Sequence, residues 1–100
     1  MPQVNVKNGD LYVIFNKIKD DDILISYKLD NGAECDFYDD KLVHLVLPNF
    51  ESQLNRGSLE DVPINFVDIK IDGTRIILSI EIFNDTLNIT LDCSSIMNKL

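Results

Sequence analysis

Three runs of alternating apolar residues in the C-terminal half constrain the fold of this chain most strongly. In each run an apolar side chain recurs at every second position, which is the period of a β-strand with one buried face. The runs are Val67, Ile69 and Ile71; Ile76, Leu78, Ile80 and Ile82; and Leu87, Ile89 and Leu91. They predict a three-stranded antiparallel meander that buries one continuous aliphatic face and forms the core.

Two turn sequences set the expected strand register of this meander. Asp72-Gly73 suits a two-residue type I′ turn. Asn84-Asp85 suits a second two-residue loop because both side chains tolerate positive φ. The expected cross-strand pairs are Ile69 with Ile76, Val67 with Leu78, Ile82 with Leu87, Ile80 with Ile89, and Leu78 with Leu91.

The N-terminal half contains a second hairpin in ILISYKLDNGAECDFY, residues 23–38. A two-residue Asn31-Gly32 loop would mix apolar and acidic residues on one face, so we reject that register. A three-residue loop, Asp30-Asn31-Gly32, with Gly32 in a left-handed conformation, keeps the faces distinct. It pairs Leu29 with Ala33, Tyr27 with Cys35, Ile25 with Phe37, and Lys28 with Glu34.

The remaining apolar runs, residues 11–18 and 42–47, are apolar on both faces and predict further strands, for a total of about seven or eight. A short helix is expected over residues 49–56, a helical turn at 58–61, and a terminal helix or frayed end at 92–100, capped by Asp92 or a serine. The predicted fold is mainly β. It is an antiparallel β-sandwich or strongly curved meander sheet with one or two short helices, in a single domain over residues 1–100.

The charge of the chain excludes several classes of partner. Seventeen acidic and nine basic residues give a net charge of -8, which repels nucleic acids and anionic membrane surfaces. No apolar run approaches the ~18 residues of a membrane span, and the N-terminal residues lack the pattern of a signal peptide. We therefore expect a cytoplasmic protein.

The residues that usually carry catalysis are scarce. The only histidine, His44, lies among apolar neighbours, which is typical of a strand histidine with a satisfied or solvated ring. Cys35 and Cys93 do not have metal-ligand spacing, and both fall on the apolar side of their strands, so we expect two buried, reduced thiols. No glycine-rich phosphate loop is present in the sequence. We expect no enzymatic activity and no cofactor.

Seven acidic residues flank the N-terminal hairpin and indicate a binding site. Three of them precede the hairpin, and four follow its turn. Because the chosen register pairs residue 23 with residue 39, it brings both groups to one end of the hairpin as a single anionic patch, with Tyr38 at its centre. The predicted partner-binding residues are Asp20, Asp21, Asp22, Glu34, Asp36, Tyr38, Asp39 and Asp40.

Other interpretations of these acidic residues stay open. Solvated acidic turns keep many small domains soluble. A calcium site is a further interpretation because aspartates are hard oxygen donors, but neither residues 20–22 nor residues 30–36 follow the ligand pattern of an EF-hand loop. The interpretation that we carry forward is a surface for a cationic protein, with no bound metal.

In size, acidity, lack of catalytic residues and lack of a secretion signal, the chain resembles the bacterial immunity proteins that neutralise toxins of contact-dependent inhibition and other polymorphic toxin systems. The resemblance covers composition and the whole-chain outline rather than a motif. Immunity proteins share no common fold, so no functional residue is carried onto a numbered position. The resemblance implies a protein that is monomeric or in a one-to-one complex with a cognate toxin domain, often a nuclease.

A second class of function is also compatible with the sequence. A non-catalytic accessory or adaptor domain, such as a phage inhibitor of another protein complex, would have a similar composition. A structural module that self-associates through its strand edges is another possibility in this class. A small toxin domain encoded immediately upstream would favour immunity over both.

Overall fold

The computed structural model describes residues 2–54 and 57–97, which form eight β-strands and two short helices. The strands make two antiparallel sheets, which confirms a mainly β fold with short helices. The chain divides into two compact units, Met1–Asp61 and Val62–Leu100. We describe each unit separately, and the expected single-domain organisation stays a prediction. No helix among the described residues is long and apolar enough to cross a membrane.

The first unit contains a five-stranded sheet in the order β1-β2-β5-β4-β3, followed by a one-turn helix. Its buried side chains alternate along the strands, as the strand period requires. The elements are β1 (Gln3–Lys7), β2 (Asp10–Ile14), β3 (Ile25–Lys28), β4 (Glu34–Tyr38), β5 (Lys41–Leu47) and α1 (Phe50–Leu54). The buried strand residues are Leu11, Val13, Cys35, Phe37, Val43, Leu45 and Leu47.

The β3–β4 hairpin has the predicted register. Gly32 has a φ of 89°, and the Leu29 N–H donates to the Ala33 carbonyl at 2.7 Å across the three-residue loop. The Asn31 side chain also accepts a hydrogen bond from the Ala33 N–H, which stabilises the turn. The confirmed strand pairs are Ile25 with Phe37, Tyr27 with Cys35, and Lys28 with Glu34.

The structure differs from three expectations for the first unit. The strand expected over residues 11–18 ends at Ile14, and residues 15–24 form the connection to β3. The helix expected over residues 49–56 is described as α1 (Phe50–Leu54), and residues 55 and 56 lie outside the described residues. Residues 58–61 contain a turn rather than a helical turn. Pro63 disfavours a helix here because it has no N–H to donate and disfavours helical backbone at the residue before it.

Helix α1 is held by hydrogen bonds to the β1–β2 turn and to the segment that follows the helix. The Asn49 N–H donates to Asp10 Oδ1 at 2.9 Å, and the Glu51 N–H donates to the Gly9 carbonyl at 3.0 Å. Glu51 Oε2 accepts a 2.7 Å hydrogen bond from the N–H of the buried Leu59. These bonds satisfy backbone groups that a single helical turn leaves unpaired.

The second unit is the predicted three-stranded meander, with β6 (Asn65–Asp72), β7 (Arg75–Ile82), β8 (Asp85–Asp92) and a terminal helix α2 (Ser94–Met97). The Asp92 Oδ1 accepts a hydrogen bond from the Ser94 N–H at 3.0 Å, so Asp92 caps this helix as expected. Residues 98–100 of the expected terminal helix lie outside the described residues.

Both predicted turns of the meander are wrong by one position. The loops are Gly73-Thr74 and Phe83-Asn84, and both Phe83 and Asn84 have positive φ. Each correction slides the pairing by two residues, and a two-residue shift does not by itself change the face of a side chain, so apolar alternation cannot distinguish the two registers. The observed pairs include Ile71 with Ile76, Ile69 with Leu78, Leu78 with Ile89, Ile80 with Leu87, and Ile76 with Leu91.

The predicted aliphatic core is buried along β7 but not along β6. Ile76, Leu78, Ile80 and Ile82 are all buried. On β6, Val67 and Ile71 are 53% and 65% exposed. The reason is that β6 has a strand neighbour on one side only, and a β-bulge between Phe66 and Asp68 displaces Val67 from the regular ladder. Cys35 and Cys93 are both buried, as predicted for the two thiols.

Candidate protein-binding surface

One end of the five-stranded sheet collects most of the predicted binding residues. Strands β3 and β4 are antiparallel, so the beginning of β3 and the end of β4 lie at the same end of the sheet. The loop containing residues 20–22 leads into β3, and Asp39-Asp40 follow Tyr38 at the end of β4. We call this set of residues, Asp20, Asp21, Asp22, Tyr38, Asp39 and Asp40, the acidic end.

The Asp39-Asp40 pair forms the two-residue turn between β4 and β5. Tyr38 pairs with Lys41 across it, and Asp39 and Asp40 have φ values of 51° and 61°. Two consecutive positive φ values are the signature of a type I′ turn, and aspartate is among the few residues other than glycine that tolerate it. Both carboxylates are exposed to solvent, as is 43% of Tyr38.

The loop before β3 carries charges of both signs. The Asp22 Oδ2 accepts a 3.0 Å hydrogen bond from the Lys19 N–H, and the Asp22 N–H donates back to the Lys19 carbonyl at 3.0 Å. Asp22 therefore closes the local turn as well as contributing charge. Asp20 and Asp21 are exposed. Sequence reasoning missed that Lys17 and Lys19 lie in the same loop and dilute its negative charge.

The strand pairing expected to join the two acidic groups is not part of the observed ladder. Between β3 and β4 the ladder ends at Ile25 and Phe37, and residue 39 already lies in the turn. The left-handed backbone of Asp39 ends the regular strand there, which is why residue 23 has no ladder partner at residue 39. The two acidic groups lie at the same end of the sheet because β3 and β4 are antiparallel, and not because residue 23 pairs with residue 39.

Asp36 is engaged in contacts within the sheet. Its Oδ1 accepts a 2.6 Å hydrogen bond from Ser26 Oγ on β3, and its Oδ2 lies 3.6 Å from His44 Nδ1 on β5. The three residues form one row across neighbouring strands, because Asp36 is the ladder partner of both Ser26 and His44. Asp36 and His44 are half-buried, so this row is less available to a partner than the turn carboxylates.

Glu34 does not belong to the acidic end. It lies at the beginning of β4, at the opposite end of the strand from Tyr38, and pairs with Lys28 on β3. Its ladder partner Lys28 carries the opposite charge, as the hairpin register predicts. Glu34 is thus the one predicted site residue that the structure places with a cation at the far end of the hairpin.

Two exposed isoleucines at the acidic end were missed as site residues. Ile23 is 83% exposed and Ile25 is 56% exposed. The sequence pattern assigned Ile25 to the side of Phe37, which is its ladder partner, but alternation does not reveal that β3 is an edge strand. Large exposed apolar side chains surrounded by charged residues are typical of protein-binding surfaces.

A cleft of about 720 Å³ lies beside the row that ends at His44. It is lined on one side by the sheet and on the other by the loop between β2 and β3. The lining residues include Gln3, Ile14, Lys17, Lys19, Asp22 and His44. Within the described part of the chain, no group of three or more His, Cys, Asp and Glu side chains is placed to hold a metal ion.

No family model, no curated protein and no solved structure matches this chain.

Proposed function

We propose that the protein is a non-catalytic binding protein that neutralises a cognate, cationic, nuclease-like toxin domain by covering its active site with the acidic end. The observation that carries this proposal is the shared location of exposed carboxylates and exposed apolar side chains at one end of the five-stranded sheet. The carboxylates are those of Asp20, Asp21, Asp39 and Asp40, and the apolar side chains are Ile23, Ile25 and Tyr38.

The two kinds of residue have different physical roles in such a complex. A groove that binds phosphate is cationic. Carboxylates on the protein that covers such a groove accelerate diffusional encounter by about 10- to 1000-fold. Aromatic and aliphatic side chains at the centre of an interface lose water on binding and slow dissociation. The arrangement therefore predicts that aspartate substitutions act on association and that Tyr38 substitutions act on dissociation.

The first experiment recovers a partner with the full chain as bait and identifies it by mass spectrometry. Association and dissociation rates of the purified pair are then measured at several salt concentrations. The Asp39→Asn/Asp40→Asn variant is expected to slow association by at least about twofold, and rising salt should slow wild-type association. The matched control is Glu81→Gln/Asp85→Asn, two exposed residues of the second unit that give the same change in net charge.

The anchor role is tested separately with Tyr38. Tyr38→Ala should raise the dissociation rate by about tenfold or more, whereas Tyr38→Phe should retain most of the affinity because the ring is kept. Enzyme assays of the recovered partner should show loss of its activity on binding. Association that ignores both salt and the aspartate substitutions, or a complex in which the partner stays active, would contradict the proposal.

A further inference from the structure

We infer that β6 is a self-complementary edge strand that joins two copies of this chain into an antiparallel, two-fold symmetric dimer. β6 is an outer strand of the three-stranded sheet and has β7 as its strand neighbour. Its exposed side chains include Val67, Asp68, Lys70 and Ile71. The surface involved belongs to the second unit, so the inference is independent of the acidic end.

The hydrogen-bonding groups of Ile69 and Ile71 face the open edge of β6. Asp72 and Arg75 flank the two-residue Gly73-Thr74 turn, so they form a hydrogen-bonded pair with each other. Hydrogen-bonded pairs alternate along an antiparallel ladder, which leaves Ile71 and Ile69 in non-hydrogen-bonded pairs with β7. Their N–H and C=O groups are therefore available to a strand added on the outside.

The hydrogen bond of the Ile69 N–H agrees with an outward direction of this group. Its N–H donates to the side chain of the preceding residue, Asp68 Oδ1, at 2.8 Å. A backbone N–H that uses a neighbouring carboxylate is directed away from β7. Such a local contact protects an edge against unspecific strand addition, and a correct partner strand replaces it with a backbone hydrogen bond.

The order of side chains on β6 favours a second copy as that strand. When Ile69 lies opposite Ile69 of the second copy in an antiparallel pair, Lys70 lies opposite the partner's Asp68, and the symmetry repeats this ion pair. The partner's Val67 lies in the β-bulge, off the face of Ile69 and Ile71, so regular pairing in this register is limited to residues 68–70. Two pairs of opposite charges would face each other on either side of the central Ile69 pair.

The other edge strands lack this property within the described residues. β1 (QVNVK) and β3 (ISYK) each have one charged residue, a lysine, so pairing with a second copy brings no opposite charges together. β8 begins with Asp85 and ends with Asp92, so full antiparallel pairing with itself would place like charges opposite each other. Charge complementarity therefore selects β6 among the four edges.

The test is a set of charge reversals followed by sedimentation equilibrium over a wide concentration range. The wild-type full chain is expected to dimerise reversibly. Lys70→Glu places two acidic residues opposite each other, and Asp68→Lys places two lysines opposite each other, so each variant should weaken dimerisation by at least about tenfold. Asp68→Asn removes the charge without reversing it, so it should weaken dimerisation less than Asp68→Lys does.

Variants that again place opposite charges at positions 68 and 70 show whether the dimer has this register. The double variant Asp68→Lys/Lys70→Glu should recover wild-type dimerisation, and a mixture of the two single variants should form a heterodimer although each alone is impaired. Lys28→Glu and Asp85→Lys are the matched controls, because they give the same changes in net charge at strand edges outside β6. Near-ultraviolet circular dichroism confirms that each variant is folded.

Sedimentation of these variants and controls can also overturn the inference. A monomer at every concentration would show that the β6 edge does not pair with itself, whether or not another protein binds there. A dimer that responds to the controls as strongly as to the β6 variants, or single variants that do not recover in the mixture, would place the contact elsewhere. Recovery in both the double variant and the mixture supports it.

Discussion

Ser26 Oγ donates a 2.6 Å hydrogen bond to Asp36 Oδ1 across the β3–β4 ladder. The other oxygen of the same carboxylate lies 3.6 Å from His44 Nδ1 on β5. The edge strand β3 is thereby connected by side chains to the strand two positions further into the sheet. This row accounts for a half-buried aspartate in the middle of a strand, a position at which an unpaired carboxylate would be unfavourable.

Removal of the Ser26 hydroxyl should weaken the attachment of β3. We expect Ser26→Ala to lower the free energy of unfolding by about 1 kcal/mol, since Asp36 loses a charge-assisted hydrogen bond in a half-buried environment. Ser26→Thr keeps the hydroxyl and should remain close to the wild type. Urea denaturation monitored by circular dichroism measures the difference, and equal losses in both variants would show that the hydroxyl is unimportant.

The core of the second unit should depend most on β7. Leu78 and Ile80 are fully buried, so Leu78→Ala and Ile80→Ala should each lower the free energy of unfolding by about 2–5 kcal/mol. Ile71 on β6 is largely exposed, and Ile71→Ala should cost less than about 1 kcal/mol. Denaturant titrations that give three similar values would contradict the observed burial.

The contrast between β6 and β7 shows what the alternating pattern can and cannot predict. Alternation identified the three strands and their apolar faces, because the side-chain period of a strand is set by its backbone. It could not identify which strand is central, since exposure depends on neighbours that are distant in the sequence. Nor could it choose between two registers that differ by two residues, so the turn at Phe83-Asn84, which places an aromatic residue at positive φ, was not anticipated.

The N-terminal hairpin was predicted correctly because its turn and its faces give independent information. Gly32 fixes where a left-handed residue is tolerated, and only one loop length then keeps apolar residues opposite each other. At the acidic end, this register also led us to expect residue 23 opposite residue 39, a pairing that the left-handed turn at Asp39 prevents. The exposure of Ile23 and Ile25 was not predicted, because it arises from the position of β3 at the edge of the sheet.

The two cysteines should be unreactive in the native protein. Cys35 and Cys93 are buried, so a thiol reagent should modify them only after unfolding. Titration in native buffer is expected to detect almost no thiol, and titration in denaturant is expected to detect both. Fast modification of the native chain would show that one of these side chains is accessible.

The cap of helix α2 should give the second unit a contribution to stability that disappears in acid. Hydrogen bonds from Ser94, first from its backbone N–H and then from its hydroxyl, lower the pKa of Asp92 below the ordinary value of 3.8, with a smaller contribution from Arg75. A lowered pKa in the folded state means that the stabilisation is complete above the unfolded value and is lost as pH falls through the folded value. NMR titration of the Asp92 carboxyl should therefore give a pKa below 3.8, and Asp92→Asn should remove this part of the acid dependence.

The Asp39-Asp40 turn allows stability and binding to be separated in one position. Asp40 has a φ of 61°, a conformation in which glycine has no steric penalty, and glycine is the preferred second residue of a type I′ turn. Asp40→Gly should therefore raise the free energy of unfolding by about 0.5–1 kcal/mol. The same substitution removes one carboxylate from the acidic end, so association with a cationic partner should become slower although the fold is more stable.

Asp40→Asn gives the same change in charge without the backbone freedom of glycine, and it should slow association equally with a smaller gain in stability. Thermal denaturation and association kinetics of the three proteins measure the two effects independently. A less stable Asp40→Gly protein would contradict the left-handed turn, whereas unchanged association in both variants would remove Asp40 from the binding surface.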